Sequence, residues 1–342
     1  MKKVTIADIA KKARVSKGTV SAVINQKDSV KPKTRDHVMD VMKSLNYKPK
    51  TYKRLVKKNS QEKSIGVIIK DINYPFYTTI ASGVKEYANS KGYSVLIVSS
   101  RNCHEDEKKL SQLFVSKDIK GTIIAPIIEG NAEIEHLFKL KMMGYPFVLL
   151  EDVKGIQANV VTIDNMSAIK KAVDFLVLNG HRKIVHFAGP ASSSHRDERI
   201  EGFRLAFSEH ALKFKKEMIV EIGSDHEESF KKTIKYFKNL DKKEYPTAVV
   251  CFNDLQALAV IMAMKELKIK VPDDVSIIGN DDIYYAQIYP VPLTTLRAPQ
   301  IEIGKKAAEI LINNIESKKP LNNQHVDFDS DLIIRESTKV IK

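Results

Sequence analysis

Apolar residues recur at helical spacing along the N-terminal stretch of the chain. Ile6, Ile9, Ala10 and Ala13 fall at i, i+3, i+4 and i+7, which predicts a short amphipathic helix, and Thr5 ahead of them supplies an N-cap hydroxyl. After a tight turn at Ala13-Arg14-Val15, Ser16 can cap a second helix. That helix turns Val20, Val23 and Ile24 inward and leaves Lys17, Gly18, Ser21, Ala22 and Asn25 outward or along its flanks. A third helix starts near Pro32, a residue acceptable at the first helical position, and carries Val38, Val41, Met42 and Leu45 at the same spacing. Three short helices close a small core. The first two, joined by such a turn, make a helix-turn-helix, whose second helix enters the DNA major groove.

From Ser64 onward the pattern changes to apolar runs alternating with helical segments. IGVII precedes a helix from about Phe76 to Lys91, then come YSVLIV, a helix from about Glu105, GTIIA, a helix from about Ala132, and PFVLL. The pattern restarts with VVTI near residue 160, a helix from Ser167 to Asn179, KIVHF, a helix from about Arg196 to His210, MIVEI, another helix, TAVVCF, a helix from Asp254, and VSII. This alternation predicts parallel sheets covered by helices, arranged as two sequential α/β lobes. Ligands of such sheets bind outside the carboxyl ends of the strands, so a cleft between the lobes should be lined by residues just after each strand.

Charge separates the two parts further. Of 56 Lys and Arg and 42 Asp and Glu, residues 1–60 hold 17 basic against 4 acidic side chains, and the remaining residues hold 39 against 38. Nearly all of the net charge of +14 sits on the helical head, the footprint of a polyanion-binding module on a neutral body. No apolar run approaches the roughly 18–20 residues needed to span a bilayer and no secretory h-region opens the chain, so a soluble, cytoplasmic protein is expected. Cys103 and Cys251 stand apart from any partner at metal-ligand spacing and are expected to be small core residues, with no metal and no cofactor. None of the 14 glycines has the spacing of a GxGxxG, a P-loop or a GxSxG elbow, which argues against an enzyme.

The stretch VTIADIAKKARVSKGTVSAVIN, followed by VKPKTRDHVMDVMKSLNYKP, resembles the headpiece of the lac repressor family of bacterial transcription regulators. The resemblance implies base-reading slots at Lys17, Gly18 and Ala22 and positioning slots at Thr5, Ser16, Thr19, Ser21 and Asn25. Arg14 stands where members commonly place Gly, and Ala22 where an Arg is usual. Ala22 exchanges a bidentate guanine contact worth about 1–3 kcal/mol for a methyl suited to thymine. YKPKTYKRLVKKNS occupies the place of the family's hinge. Read as a hinge helix, Lys53, Arg54, Lys57 and Lys58 would neutralise phosphates while Leu55 or Val56 wedges into the minor groove; read plainly, it is a flexible charged linker.

The resemblance continues through IGVIIKDINYPFY, GHRKIVHFAGP, RIEGFRLAF, FNDLQALAV, VPDDVSIIGNDD and PLTTLRAP, and implies a periplasmic-binding-protein-like core. By that resemblance Asp71, Asn73, Phe76, Asp164, Arg199, Asn253 and Asp281 form an effector site. Carboxylates, an amide, a guanidinium and an aromatic suit a polyhydroxylated, carbohydrate-like ligand. His195 and Arg196 beside Arg199 leave a sugar acid or sugar phosphate open, as does a protein co-regulator in place of a small molecule, and His226 falls near a place where many members carry an effector-stacking aromatic. Tyr74 and Asn280 depart from the family pattern, so effector identity is not inherited. The expected layout is a headpiece over 1–48, a hinge over 49–62 and a core over 63–338. The first lobe would hold about 63–163 and 292–322, and the second about 164–291 and 323–338. A homodimer on a near-palindromic double-stranded operator, with repression as the default mode, completes the expectation.

Overall fold

The computed structural model describes residues 4–24, 30–45, 47, 63–127, 134–191, 193–223, 225–317 and 321–341. They fall into two compact units divided after Glu62.

In the N-terminal unit α1 spans Ile6–Ala13. Its capping box is reciprocal: the Thr5 amide donates to Asp8 Oδ2 at 2.8 Å and the Asp8 amide to Thr5 Oγ1 at 3.4 Å. Arg14 ends the helix in the left-handed region at φ 54°, ψ 42°, and the Val15 amide donates to the Ala10 carbonyl at 3.0 Å. The next helix, α2, spans Lys17–Ile24, and Ser16 Oγ accepts the Thr19 amide at 3.0 Å at its start. The third, α3, spans Pro32–Ser44 with the proline in its first turn. Ile9, Ala10, Ala13, Val20, Val23, Val38 and Val41 form the core that the helical spacing predicts. Asn25, Lys53, Arg54, Leu55, Val56, Lys57 and Lys58 lie outside the described residues.

The C-terminal unit contains two six-stranded sheets. The first takes β1 (Lys63–Ile69), β2 (Tyr93–Ser99), β3 (Thr122–Ile124), β4 (Phe147–Leu149) and β5 (Asn159–Ile163), with α4 (Pro75–Ser90), α5 (His104–Ser116) and α6 (Glu135–Met142) between them. The second takes β6 (Ile184–Ala188), β7 (Ile219–Glu221), β8 (Ala248–Cys251), β9 (Ser276–Asn280) and β10 (Thr294–Arg297). Its helices are α7 (Asn165–Leu178), α8 (Ser194–Glu209), α9 (His226–Lys238), α10 (Asp254–Glu266) and α11 (Tyr284–Ile288). Val- and Ile-rich strands buried on both faces require parallel pairing under helices, and the pairs are parallel save one. The chain then returns to the first sheet through α12 (Gln300–Glu316) and β11 (His325–Phe328), and ends in the second with β12 (Asp331–Ile333), antiparallel to β10. The strand orders are β11-β5-β4-β3-β1-β2 and β12-β10-β9-β8-β6-β7.

Two lobe boundaries need correction. β10 pairs with β9, so the chain stays in the second lobe past residue 292, and β11 pairs with β5, so it stays in the first past 323. The crossings lie at 163–165, 297–300 and 328–331. Where α12 packs on α4, a Cβ at Gly83 would strike the Ile301 carbonyl and one at Gly304 the Ile80 carbonyl, so these glycines set the close approach of the two helices. Cys251 is buried as expected, whereas Cys103 is half-buried at the start of α5. Among the described residues no helix is long and apolar enough to cross a membrane.

Candidate effector cavity and DNA-reading helix

Strand ends from both sheets converge on a cavity of about 500 Å³. Lys70 and Asp71 follow β1, Asn102 follows β2, Ile127 follows β3, Phe252 and Asn253 follow β8, and Asp281 follows β9; all line it. The rule for open α/β sheets therefore describes both lobes. Of the residues implied by resemblance, Asp71, Phe76, Arg199, Asn253 and Asp281 reach the cavity, as does His226. Asp164 does not: its carboxylate caps α7 by accepting the Ser167 amide at 2.9 Å. Asn73 is exposed in a turn closed by its own amide on Asp71 Oδ1 at 2.8 Å. Both sit next to strand ends, but a polar residue there can serve the backbone as readily as a ligand. Sequence reasoning also missed Lys70, Tyr77, Asn102, Asp225, Phe252 and Gln256. Most of these follow a strand or open a helix, a signal that position relative to the strand ends carries and residue type does not.

Arg199 is buried on α8 and lies over the Phe252 ring, 4.4 Å from its centroid. Its Nε donates to Asn165 Oδ1 at 2.9 Å and its Nη1 to the Phe252 carbonyl. Among the described residues it forms no salt bridge. A buried guanidinium held by neutral acceptors keeps donor capacity for a third party. Its neighbours differ. Arg196 approaches Glu221 at 3.8 Å and Asp197 at 3.9 Å, and His195 lies between Glu151 and Glu198 at 3.2 and 3.7 Å.

Asp281 supplies the opposing carboxylate. It accepts the Tyr74 hydroxyl from the first lobe, and burial pushes its pKa up to about 6 against the pull of Arg199, Tyr74 and His195. Its backbone is left-handed at φ 118°, as is Asp282 at φ 53°, conformations that non-glycine residues adopt at a cost. The turn is held from below: Arg297 Nε and Arg335 Nη2 each donate to Asp282 at 2.6 Å. The Ile283 amide donates to Asp254 Oδ2 at 2.9 Å and the Thr295 hydroxyl to Asp254 Oδ1 at 2.6 Å. Asp254 is therefore a buried brace; the N-cap of α10 is Asn253, whose Oδ1 accepts the Gln256 amide at 2.9 Å. Burial, with Asp281 nearby, lifts Asp254 to about 8.

In the headpiece, Lys17 and Gly18 are exposed at the start of α2, with Thr19, Ser21 and Ala22 half-buried beside them and Thr5 and Ser16 exposed. Ser16 and Thr19 also share a hydroxyl contact of 2.9 Å. The exposed surface at the first turn of α2 is small enough to approach base edges closely and carries one long cation.

A helix-turn-helix unit and a two-lobed core with a cavity at its strand ends define the class: a DNA-binding regulator with a ligand-sensing domain. Residues 5–50 match the family of bacterial regulatory proteins, lacI family, and residues 173–338 match the periplasmic binding protein-like domain. The HTH-type transcriptional repressor PurR of Haemophilus influenzae (strain PittEE) is 31% identical over 339 residues, covering 98% of this chain and 99% of its own. The protein of the same name from Actinobacillus pleuropneumoniae serotype 3 (strain JL03) is 33% identical over 338 residues, 98% of each chain. Among solved structures, the lac repressor dimer bound to operator and the anti-inducer ONPF superposes with a TM-score of 0.71 at 26% identity, over 99% of this chain and 100% of that one. The transcriptional regulator CelR–cellobiose complex superposes at 0.73 and 23% identity, over 98% and 100%, which speaks to the fold. The chain belongs to the lacI family of bacterial regulatory proteins.

Proposed function

We propose that this protein is a transcription repressor that binds a near-palindromic operator as a homodimer and whose occupancy of DNA is set by a neutral, polyhydroxylated small molecule in the interlobe cavity. The observation that carries the ligand class is that Arg199, a donor in no salt bridge among the described residues, and Asp281, an acceptor, line one pocket with aromatic walls at Phe76, Tyr77 and Phe252. Sugar hydroxyls donate and accept, so one ligand satisfies both groups while its C–H faces cover the rings. The neutralisation of His195 and Arg196 by nearby carboxylates argues against a strongly anionic effector. Dimerisation follows from the small footprint of one headpiece, since two-fold symmetry matches two half-sites. The lac repressor dimer bound to operator supports that arrangement.

The test is selection of the full-length protein against a randomised DNA pool at fixed salt, repeated with sugars, sugar acids and sugar phosphates. A palindromic site whose retention changes with a neutral sugar is the expected result. Response to an acid or phosphate alone would overturn the ligand class, and failure to enrich any sequence would overturn the regulatory reading.

A further inference from the structure

At the edge of the same cavity a buried carboxylate ties the two lobes together. Glu151 follows β4 in the first lobe, its side chain 2% exposed. In its own lobe it pairs with Lys70 at the end of β1; across the cleft it meets His195 Nε2, from the first turn of α8, at 3.2 Å. The groups facing His195 are Glu151 from the first lobe, itself held by Lys70 and Tyr77, Asn165 from the start of α7, Glu198 and Arg199 from its own helix, and Asp281 from the turn after β9.

The second ring nitrogen has two partners that suit different protonation states. Asn165 Nδ2 lies 2.9 Å from His195 Nδ1, 2.9 Å from Glu198 Oε2 and 3.2 Å from the Ile163 carbonyl, three acceptors that share its two hydrogens, and the orientation of that amide is fixed because its oxygen takes Arg199 Nε. The contact at Nδ1 suits a neutral ring, with Nδ1 accepting and the Nε2–H facing Glu151. Glu198 Oε2, 3.7 Å from the same nitrogen, is an acceptor for the protonated ring. One imidazole thus has a neutral and a charged way to occupy the same place, and the charged one adds an ion pair across the cleft.

We propose that Glu151 and His195 form a proton-operated latch between the lobes, holding the cleft in the arrangement seen here when His195 is protonated and loosening it when the proton leaves. This rests on the reading of the cavity as the sensor site and adds protons as a second input to it. The electrostatics agree. Burial pulls the His195 pKa down, but Glu151 and Glu198 outweigh it and raise it above the ordinary value; burial pushes Glu151 up, and His195 and Lys70 hold it well below the usual carboxylate range. For a base with a raised pKa the stabilisation is present at low pH and fades as pH rises through that raised value, with a limit of about tenfold in the latched-to-open ratio per pH unit for one proton.

The test needs no effector, so its outcome is separate from that of the ligand reading. Spin labels at Lys91→Cys in the first lobe and Lys242→Cys in the second, in a Cys103→Ser, Cys251→Ala full-length chain diluted with unlabelled protein, report the interlobe distance by pulsed electron resonance. Measurements run from about pH 5.5 to 8.5, the range in which an imidazole titrates. The expected result is a distribution that shifts as pH rises through the range in which His195 loses its proton. His195→Gln should abolish this shift. His195→Lys, which keeps a cation opposite Glu151, should hold the low-pH distribution at every pH and guards against a loss that reflects misfolding. A distribution independent of pH in the unmodified latch, or a shift that survives His195→Gln, overturns the proposal.

Discussion

Replacing Arg14 with Gly should stabilise the headpiece. Arg14 sits at φ 54°, ψ 42°, where the Cβ of an L-residue crowds the following carbonyl at a cost of about 1–2 kcal/mol. Its side chain is exposed and makes no hydrogen bond or ion pair among the described residues, so its removal forfeits no contact in the fold. The glycine gives back about 0.5–1 kcal/mol through the greater freedom of the unfolded chain. The net gain is about 0.5–1 kcal/mol, which slows amide exchange through local opening by about two- to fivefold. Exchange mass spectrometry on peptides covering residues 5–24 of the full chain measures this. Arg14→Ala is the control: it removes the same charge, and with it the same attraction to phosphate, but keeps the Cβ that creates the strain. Equal protection in the Gly and Ala variants, or faster exchange in the Gly variant, would refute the argument from backbone conformation.

Three further outcomes follow from the two sites. Lys17→Ala should weaken binding to the selected operator by about 1–3 kcal/mol and binding to random duplex much less, measured by titration at one salt concentration; equal losses would remove Lys17 from base reading. Arg199→Lys keeps the charge but loses the planar fork and its seat on Phe252, so affinity for the effector found in the panel should fall about ten- to hundredfold by calorimetry, and an unchanged affinity would detach Arg199 from the ligand. Asp254 and Asp281 have pKa values raised to about 8 and about 6, so the folded core keeps protons that the unfolded chain has released. Their contribution to stability therefore falls as pH rises from the ordinary carboxylate range, near 4, to about 8. Urea midpoints should show that Asp254→Asn flattens the upper part of this decline; parallel profiles in variant and wild type would contradict the assignment.

How much of this was legible in the sequence depended on how local the deciding interaction is. The headpiece was read almost whole because its helices are announced by caps within three residues and stripes within eight, as at Thr5, Ser16 and Ile6–Ala13. The alternation of strands and helices was equally plain. The assignment of β10 and β11 to sheets was not, because TTLR and HVDF are short and the choice between sheets lies in partners far along the chain, Ile278 to Asn280 for one and Val160 to Ile163 for the other. The same distance hid the Lys70–Glu151–His195 chain, in which each charge taken singly looks like a solvated residue next to a strand or helix end. Asp164 shows the converse: its type and place match a ligand contact, and one of its carboxylate oxygens serves a helix amide three residues on.

The turn after β9 shows why ligand contact and lobe arrangement are inseparable in this core. Asp281 presents its carboxylate to the cavity from a turn in which Asp282 is pinned by Arg297 and Arg335 and Ile283 by Asp254. Arg297 ends β10, the strand from which the chain crosses back to the first lobe, and Gln300, the first residue of α12 beyond that crossing, donates to the Asp281 carbonyl. Tyr74 reaches the Asp281 carboxylate from the same side of the cleft. A rotation of one lobe against the other must therefore move the donors on Asp281, and a ligand that takes over the Tyr74 position on that carboxylate must change the balance between lobe arrangements by the difference in affinity it has for them.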